Sequence, residues 1–172
     1  MLHRVLELPS SVLADTGSVS TDDSSDEKPS MSLRLLLVED VRVNIIVATT
    51  MLRSLGHEVD IAENGLIALE KLRQNDYDLV FMDCQMPELD GYQCTLQLRD
   101  PNSGVRNPKI PIIAMTAHAM VGDREKCLQS GMDDYITKPI DHEQIVAAIS
   151  HWFGRQSEFQ HMKHQGTQFP AS

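Results

Sequence analysis

Three short runs, "LLLV" at 35–38, "LVFM" at 79–82 and "IIAM" at 112–115, are apolar at every position and stop abruptly at a polar residue. A strand with no polar face has both faces covered, which is the pattern of a central strand in a parallel sheet. Between and beyond these runs the spacing changes to that of helices. "VRVNIIVATTMLRSLG" (41–56) places Val47, Ala48, Met51 and Leu55 toward the sheet and ends at Gly56, and "NGLIALEKLRQN" (64–75) carries Leu66, Leu69 and Leu72 on its apolar face. "YQCTLQLRD", "MVGDREKCLQSG" and "HEQIVAAISHWFG" read as further helices, the last two stopped by Gly131 and Gly154, and "HEVDIA" and "DDYIT" as further strands. The order is strand–helix five times over. That order predicts a doubly wound α/β domain with right-handed crossovers, helices on both faces, and chemistry beyond the carboxyl ends of the strands.

What collects at that edge is unusual. Glu39 and Asp40 follow the first strand, Asp83 the third, Thr116 the fourth and Lys138 the fifth. Singly, each has a plain reading: an acid at a strand end caps a helix, and Asp90-Gly91 reads as a turn. Together they make a chemical set. Three carboxylates in one place repel unless a cation joins them, and a hard divalent ion with oxygen ligands, magnesium above all, is the natural partner. A carboxylate is also a nucleophile toward phosphorus, and phosphoryl transfer asks chiefly for positioning and charge neutralisation. A metal, the Lys138 ammonium and the Thr116 hydroxyl would supply these. No GxGxxG or GxxxxGK[ST] cradle is present, so a nucleotide is not the expected phosphate source.

Composition narrows the partners. The chain of 172 residues has a formal net charge of -10 and 41% hydrophobic residues. That composition suits a globular protein and argues against a nucleic-acid surface, which needs a basic face. Cys84, Cys94 and Cys127 fit neither a disulfide framework nor a zinc motif, so the expectation is reduced thiols in a cytoplasmic protein. No apolar run approaches the ~20 residues that span a bilayer, and no membrane contact is expected. Residues 1–32 read as a disordered arm or linker, 33–154 as the folded domain, and 155–172, with His161 and His164, as a flexible tail.

With these residues in view, "LLLVED", "MDCQMPELDG", "IIAMTAHA" and "DYITKP" resemble the receiver domain of bacterial two-component response regulators, over about residues 33 to 154. The wording is most similar to receivers of hybrid sensor histidine kinases. The resemblance implies a flavodoxin-like five-stranded parallel sheet in the order 2-1-3-4-5. It implies that Asp83 is the phosphoacceptor, that Glu39, Asp40, Asp83 and the Gln85 backbone carbonyl hold magnesium, and that Lys138 pairs with the phosphoryl oxygens. Thr116 and Tyr135 match the switch pair on the face of the fourth helix, fifth strand and fifth helix, and Pro139 matches a proline in a cis peptide. Gln85 and His118 occupy positions that tune the lifetime of the acyl phosphate. Val41 departs from the asparagine many hybrid receivers carry there, so a hydrogen bond is expected to be missing. The implied partner is a histidine kinase or a histidine phosphotransfer protein, and the chain is expected to accept phosphate rather than act as an enzyme. It reads as either a stand-alone regulator or a receiver from a larger hybrid kinase.

Ile45 and Ile46 lie off the Val47 stripe of the first helix and form a candidate docking patch for a phosphohistidine-bearing helical bundle. His142 and His151 on the last helix read as surface residues. Two rival functions stand beside the phosphoacceptor. One is a magnesium-dependent hydrolase with an aspartyl-phosphate intermediate, which would want an acid where Gln85 stands. The other is a non-phosphorylated scaffold.

Overall fold

The structure is a computed structural model describing residues 31–118 and 120–154. The expectations for the arm, apart from its last two residues, and for the tail with His161 and His164 lie outside the described residues. Five strands alternate with five helices: β1 Arg34–Val38, α1 Arg42–Ser54, β2 Glu58–Ala62, α2 Gly65–Gln74, β3 Leu79–Asp83, α3 Gly91–Arg99, β4 Ile112–Thr116, α4 Val121–Gln129, β5 Asp134–Thr137 and α5 His142–Ile149. The last turn, Ser150–Gly154, widens to a π-helix. All strand pairs are parallel and the order is β2-β1-β3-β4-β5, the flavodoxin-like arrangement.

β3 and β4 are buried along their whole length, as continuous apolar runs require, whereas β2 and β5 are half-exposed edge strands. Alternate residues divide the core. Leu35, Leu37, Leu79, Phe81, Ile113 and Met115 pack under α1 and α5. Leu36, Val38, Val80, Met82, Ile112 and Ala114 pack on the other face, with Leu69, Leu98 and Cys127 from α2, α3 and α4. Chain order reverses between β1 and β3, so a crevice opens beyond their carboxyl ends.

Two helices are rotated from the predicted faces. In α1 the residues against the sheet are Ala48, Thr49 and Leu52, with Ile45 half-buried. Val47 is exposed, and Met51 and Leu55 pack only partly against the core. Ala48 faces the sheet as expected, but Ile45–Ala48–Leu52 and Val47–Met51–Leu55 are both compatible with one helical face, and packing selects the first. In α2 Leu69 and Leu72 are buried as expected, but Leu66 is exposed. The reason is Gly65: a Cβ there would meet the Leu89 carbonyl at 2.8 Å and Cys94 Cβ at 3.0 Å, so the helix start lies against the β3–α3 loop and α3, and the next side chain faces out. Gly56 and Gly131, the expected helix stops, take φ of 88° and 95°, where only glycine is unstrained.

Candidate functional site

Parallel register delivers the site. Val38 pairs with Met82 and Asp83 with Met115, so Glu39 and Asp83 leave the sheet side by side. The ladder runs one residue further on three strands: Glu39 N–H donates to Ala62 O at 3.0 Å, Cys84 N–H to Met115 O at 3.0 Å, and Lys138 N–H to Thr116 O at 2.7 Å. Each reacting side chain therefore sits on backbone fixed by the sheet.

Glu39, Asp40 and Asp83 each offer a carboxylate oxygen, and these lie within 4.8 Å of one another. Glu39 is fully buried, Asp83 is 3% exposed and Asp40 is half-exposed. Lys138 Nζ bridges the two buried acids, at 2.7 Å from Glu39 Oε2 and 3.0 Å from Asp83 Oδ2. Gln85 N–H donates to Asp83 Oδ1 at 3.1 Å. The other oxygen of Glu39, Oε1, accepts from the Val41 N–H at 3.1 Å and from Asn44 Nδ2 at 3.2 Å. Burial raises the Asp83 pKa, the bonds from Gln85 and Lys138 work the other way, and the Glu39 charge adds to the rise. Burial acts to lower the Lys138 pKa, but its bonds to Glu39 and Asp83 outweigh burial and hold it raised. The ammonium is thus a resident counter-ion for the two buried acids of a rim built to hold positive charge.

The remaining expected residues are placed less directly. Thr116 closes β4, but its hydroxyl is engaged with the β4–α4 loop, donating to His118 O at 3.1 Å and accepting from His118 N–H at 3.2 Å. Tyr135 is half-buried against the core on the α4 side of β5, paired with Ala114, two residues before the strand end at Thr137. The Lys138–Pro139 peptide is cis. Ile46 is 57% exposed, but Ile45 is half-buried, which corrects the pair of exposed isoleucines. Val43 and Val47 on the same helix are also exposed, and Ile45 and Ile46 line an open cleft with Asp40.

Three functional details escaped the sequence reading. Asn44 in the first turn of α1 orients Glu39. Asp90 is the N-cap of α3, accepting from Gln93 N–H at 2.8 Å, so Asp90-Gly91 is a helix start and not a free turn. Gly91 is required for space: its N–H donates to Cys84 O, and a Cβ there would lie 2.1 Å from Asp83 O. Val41 is the N-cap of α1 and provides no side-chain cap. Val41→Asn is expected to add that cap and stabilise the domain by about 1 kcal/mol. Thermal denaturation would show it as a rise in Tm.

A β1–β3 crevice with three clustered carboxylates and a bridging lysine defines a phosphoacceptor module of the receiver type, and the comparisons agree. The family model for the response regulator receiver domain matches residues 35–150, and the chain belongs to that family. It is 41% identical over 121 residues to the sensor protein GacS of Pseudomonas syringae, covering 70% of this chain and 13% of that protein. It is 37% identical over 131 residues to hybrid signal transduction histidine kinase L of Dictyostelium discoideum, covering 74% of this chain and 8% of that kinase. The chain thus spans a small part of these relatives. The receiver domain of a Pseudomonas aeruginosa sensor histidine kinase, solved with magnesium in its active-site cleft, matches with a TM-score of 0.64 at 42% identity, covering 72% of this chain and 98% of that one. The receiver domain of Saccharomyces cerevisiae Ssk1, solved with the histidine phosphotransfer protein Ypd1, matches with a TM-score of 0.67 at 30% identity, covering 73% and 91%.

Proposed function

We propose that Asp83 accepts a phosphoryl group from a phosphohistidine of a histidine kinase or a histidine phosphotransfer protein. The observation that carries this reading is the bridge of Lys138 between buried Glu39 and Asp83 within a cluster of three carboxylates. An Asp83 carboxylate oxygen attacks phosphorus, the phosphorus–nitrogen bond breaks, and the departing imidazole takes a proton from solvent. Glu39, Asp40 and Asp83, with the Gln85 carbonyl, would hold a magnesium ion, which when bound would supply positive charge to offset the phosphoryl oxygens. Lys138, already in contact with Asp83, follows the new charge. The Thr116 hydroxyl exchanges its His118 partners for a phosphoryl oxygen, and Tyr135 moves inward on the α4–β5–α5 face. That is a shift between two arrangements biased by one added group.

The chain is a phosphoacceptor that assists its own modification, and no substrate is turned over. Gln85 stands where a hydrolase would need an acid, which disfavours the rival enzyme reading. The complete pocket disfavours a scaffold that is never phosphorylated. Among the described residues no helix is long and apolar enough to cross a membrane, and Cys84, Cys94 and Cys127 are free and buried, which supports a cytoplasmic location. Incubation with magnesium and a small phosphodonor, followed by intact mass, separates the readings. The expected result is one labile phosphate per chain. Continuous turnover of donor would support the hydrolase, and an unchanged mass the scaffold.

The patch of Val43, Ile46 and Val47 is proposed to receive the partner's helices, together with half-buried Ile45, which lines an open cleft with Ile46 and Asp40. Ile46→Asp places a charge at its exposed centre. Transfer from a phosphorylated partner is expected to slow by roughly tenfold or more, while labelling by a small phosphodonor is unchanged. Equal transfer rates in Ile46→Asp and wild type would remove the patch from the interface.

A further inference from the structure

Directly behind the phosphoacceptor lies chemistry that the phosphoryl reaction does not use. Cys84 is the residue after Asp83, and its Sγ lies 3.9 Å from Cys127 Sγ on α4. Each residue is 2% exposed. Cys84 also lines a solvent-open cleft of about 440 Å³ between the β3–α3 loop and α4, together with Gln85, Met86, Tyr92, Asp123 and Lys126. The third thiol, Cys94, is fully buried elsewhere, donating to Gly65 O at 3.4 Å under the start of α2.

α4 is weakly anchored. Cys127 is its buried residue, and its N-cap, Met120, makes no side-chain cap. Lys126 Nζ rests 4.2 Å above the Tyr92 ring, and a Cβ at Gly122 would meet nothing within 4 Å. Its entrance residues Met120 and Val121 are 72% and 79% exposed. An element with so few buried apolar contacts opens locally at low cost. Opening α4 lifts Cys127 away from Cys84 and admits solvent to both.

We propose that Cys84 and Cys127 form an oxidisable dithiol, and that a peroxide converts the pair into an intramolecular disulfide stapling α4 to the end of β3. The step balances. One thiol, deprotonated in the open state, attacks a peroxide oxygen; the O–O bond breaks, giving a sulfenic acid and, after proton return, one water. The second sulfur then attacks the sulfenic sulfur; the S–S bond forms, the S–O bond breaks, and the hydroxide leaves as water with the second thiol's proton. Two thiols lose two electrons and two protons, and hydrogen peroxide becomes two waters. A disulfide of about 2.05 Å requires the sulfurs to close from contact distance, a movement that a helix held by one buried side chain can supply. The staple would hold α4 still, beside the residue that changes charge when Asp83 is modified. The proposal does not depend on phosphoryl transfer.

The test treats the full chain with hydrogen peroxide at neutral pH, unfolds it in an alkylating reagent without reductant, and maps its peptides. The expected product has lost two hydrogens, carries one alkylated cysteine, Cys94, and yields a linked Cys84–Cys127 peptide that dithiothreitol releases. Amide exchange across α4 is expected to slow by on the order of tenfold in the oxidised form. Cys127→Ser removes the link. Three alkylated cysteines after oxidation, a link through Cys94, or a link between two chains would overturn the proposal, and the wild-type map decides this even if a serine variant folds poorly.

Discussion

Asp83→Asn is expected to abolish the labile phosphate completely while leaving the fold intact. The amide keeps an oxygen to accept the Gln85 N–H that now bonds Asp83 at 3.1 Å. Lys138 retains its 2.7 Å contact with Glu39. What is lost is the nucleophile and one of three clustered negative charges. Divalent-metal binding is therefore expected to weaken along with the loss of labelling. Burial already works against charge at Asp83, so neutralising it costs the folded state little. Circular dichroism and thermal denaturation should report a native fold with an unchanged or slightly raised Tm, beside an intact mass that no phosphodonor shifts. A variant that still acquires one labile phosphate would mean that another residue is the acceptor.

Gly91→Ala is expected to be strongly destabilising. The added Cβ would fall 2.1 Å from the Asp83 carbonyl oxygen and 3.0 Å from both Asp83 C and Met82 Cγ. The tightest contacts are with Asp83 backbone in a strand buried throughout, so moving a flexible side chain cannot relieve them. Overpacking of this kind costs about 1–3 kcal/mol, which for a domain of this size lowers Tm by on the order of 5–10 °C. Because the displaced atom is the phosphoacceptor's own carbonyl, phosphorylation by a small donor is expected to slow beyond what the stability loss explains. Gly122→Ala is the control. Nothing lies within 4 Å of its Cβ, so replacing a helical glycine there is expected to be neutral or stabilising by up to about 1 kcal/mol. If the two variants melted alike, the tight return of the β3–α3 loop would not constrain Asp83.

Much of this was legible in the residues because it rests on patterns with one solution. A run such as "LVFM" has no polar face to show solvent, so it lies inside a sheet. Five such turns from strand to helix leave the acids, Thr116 and Lys138 at one edge. What stayed hidden depends on choices that local pattern does not distinguish. α1 carries two apolar stripes at helical spacing, Ala48 lies toward the sheet as expected, and only packing chooses Leu52 over Val47 for the buried face. Leu66 looks like a core residue until Gly65 is seen to set the rotation of α2. Asp90-Gly91 has the composition of a turn, yet one residue caps α3 and the other clears space for Asp83. Likewise, the Thr116 hydroxyl is bound to the His118 backbone in this arrangement.

The central claim is that the carboxylate bridged by Lys138, and no other, becomes the acyl phosphate. Reducing the phosphorylated chain with borohydride converts an aspartyl phosphate to homoserine, and peptide mapping then reads its position. Homoserine at position 83 alone is the predicted result. Homoserine at Asp40 or any other acid, or none in a chain that carries phosphate, would contradict it.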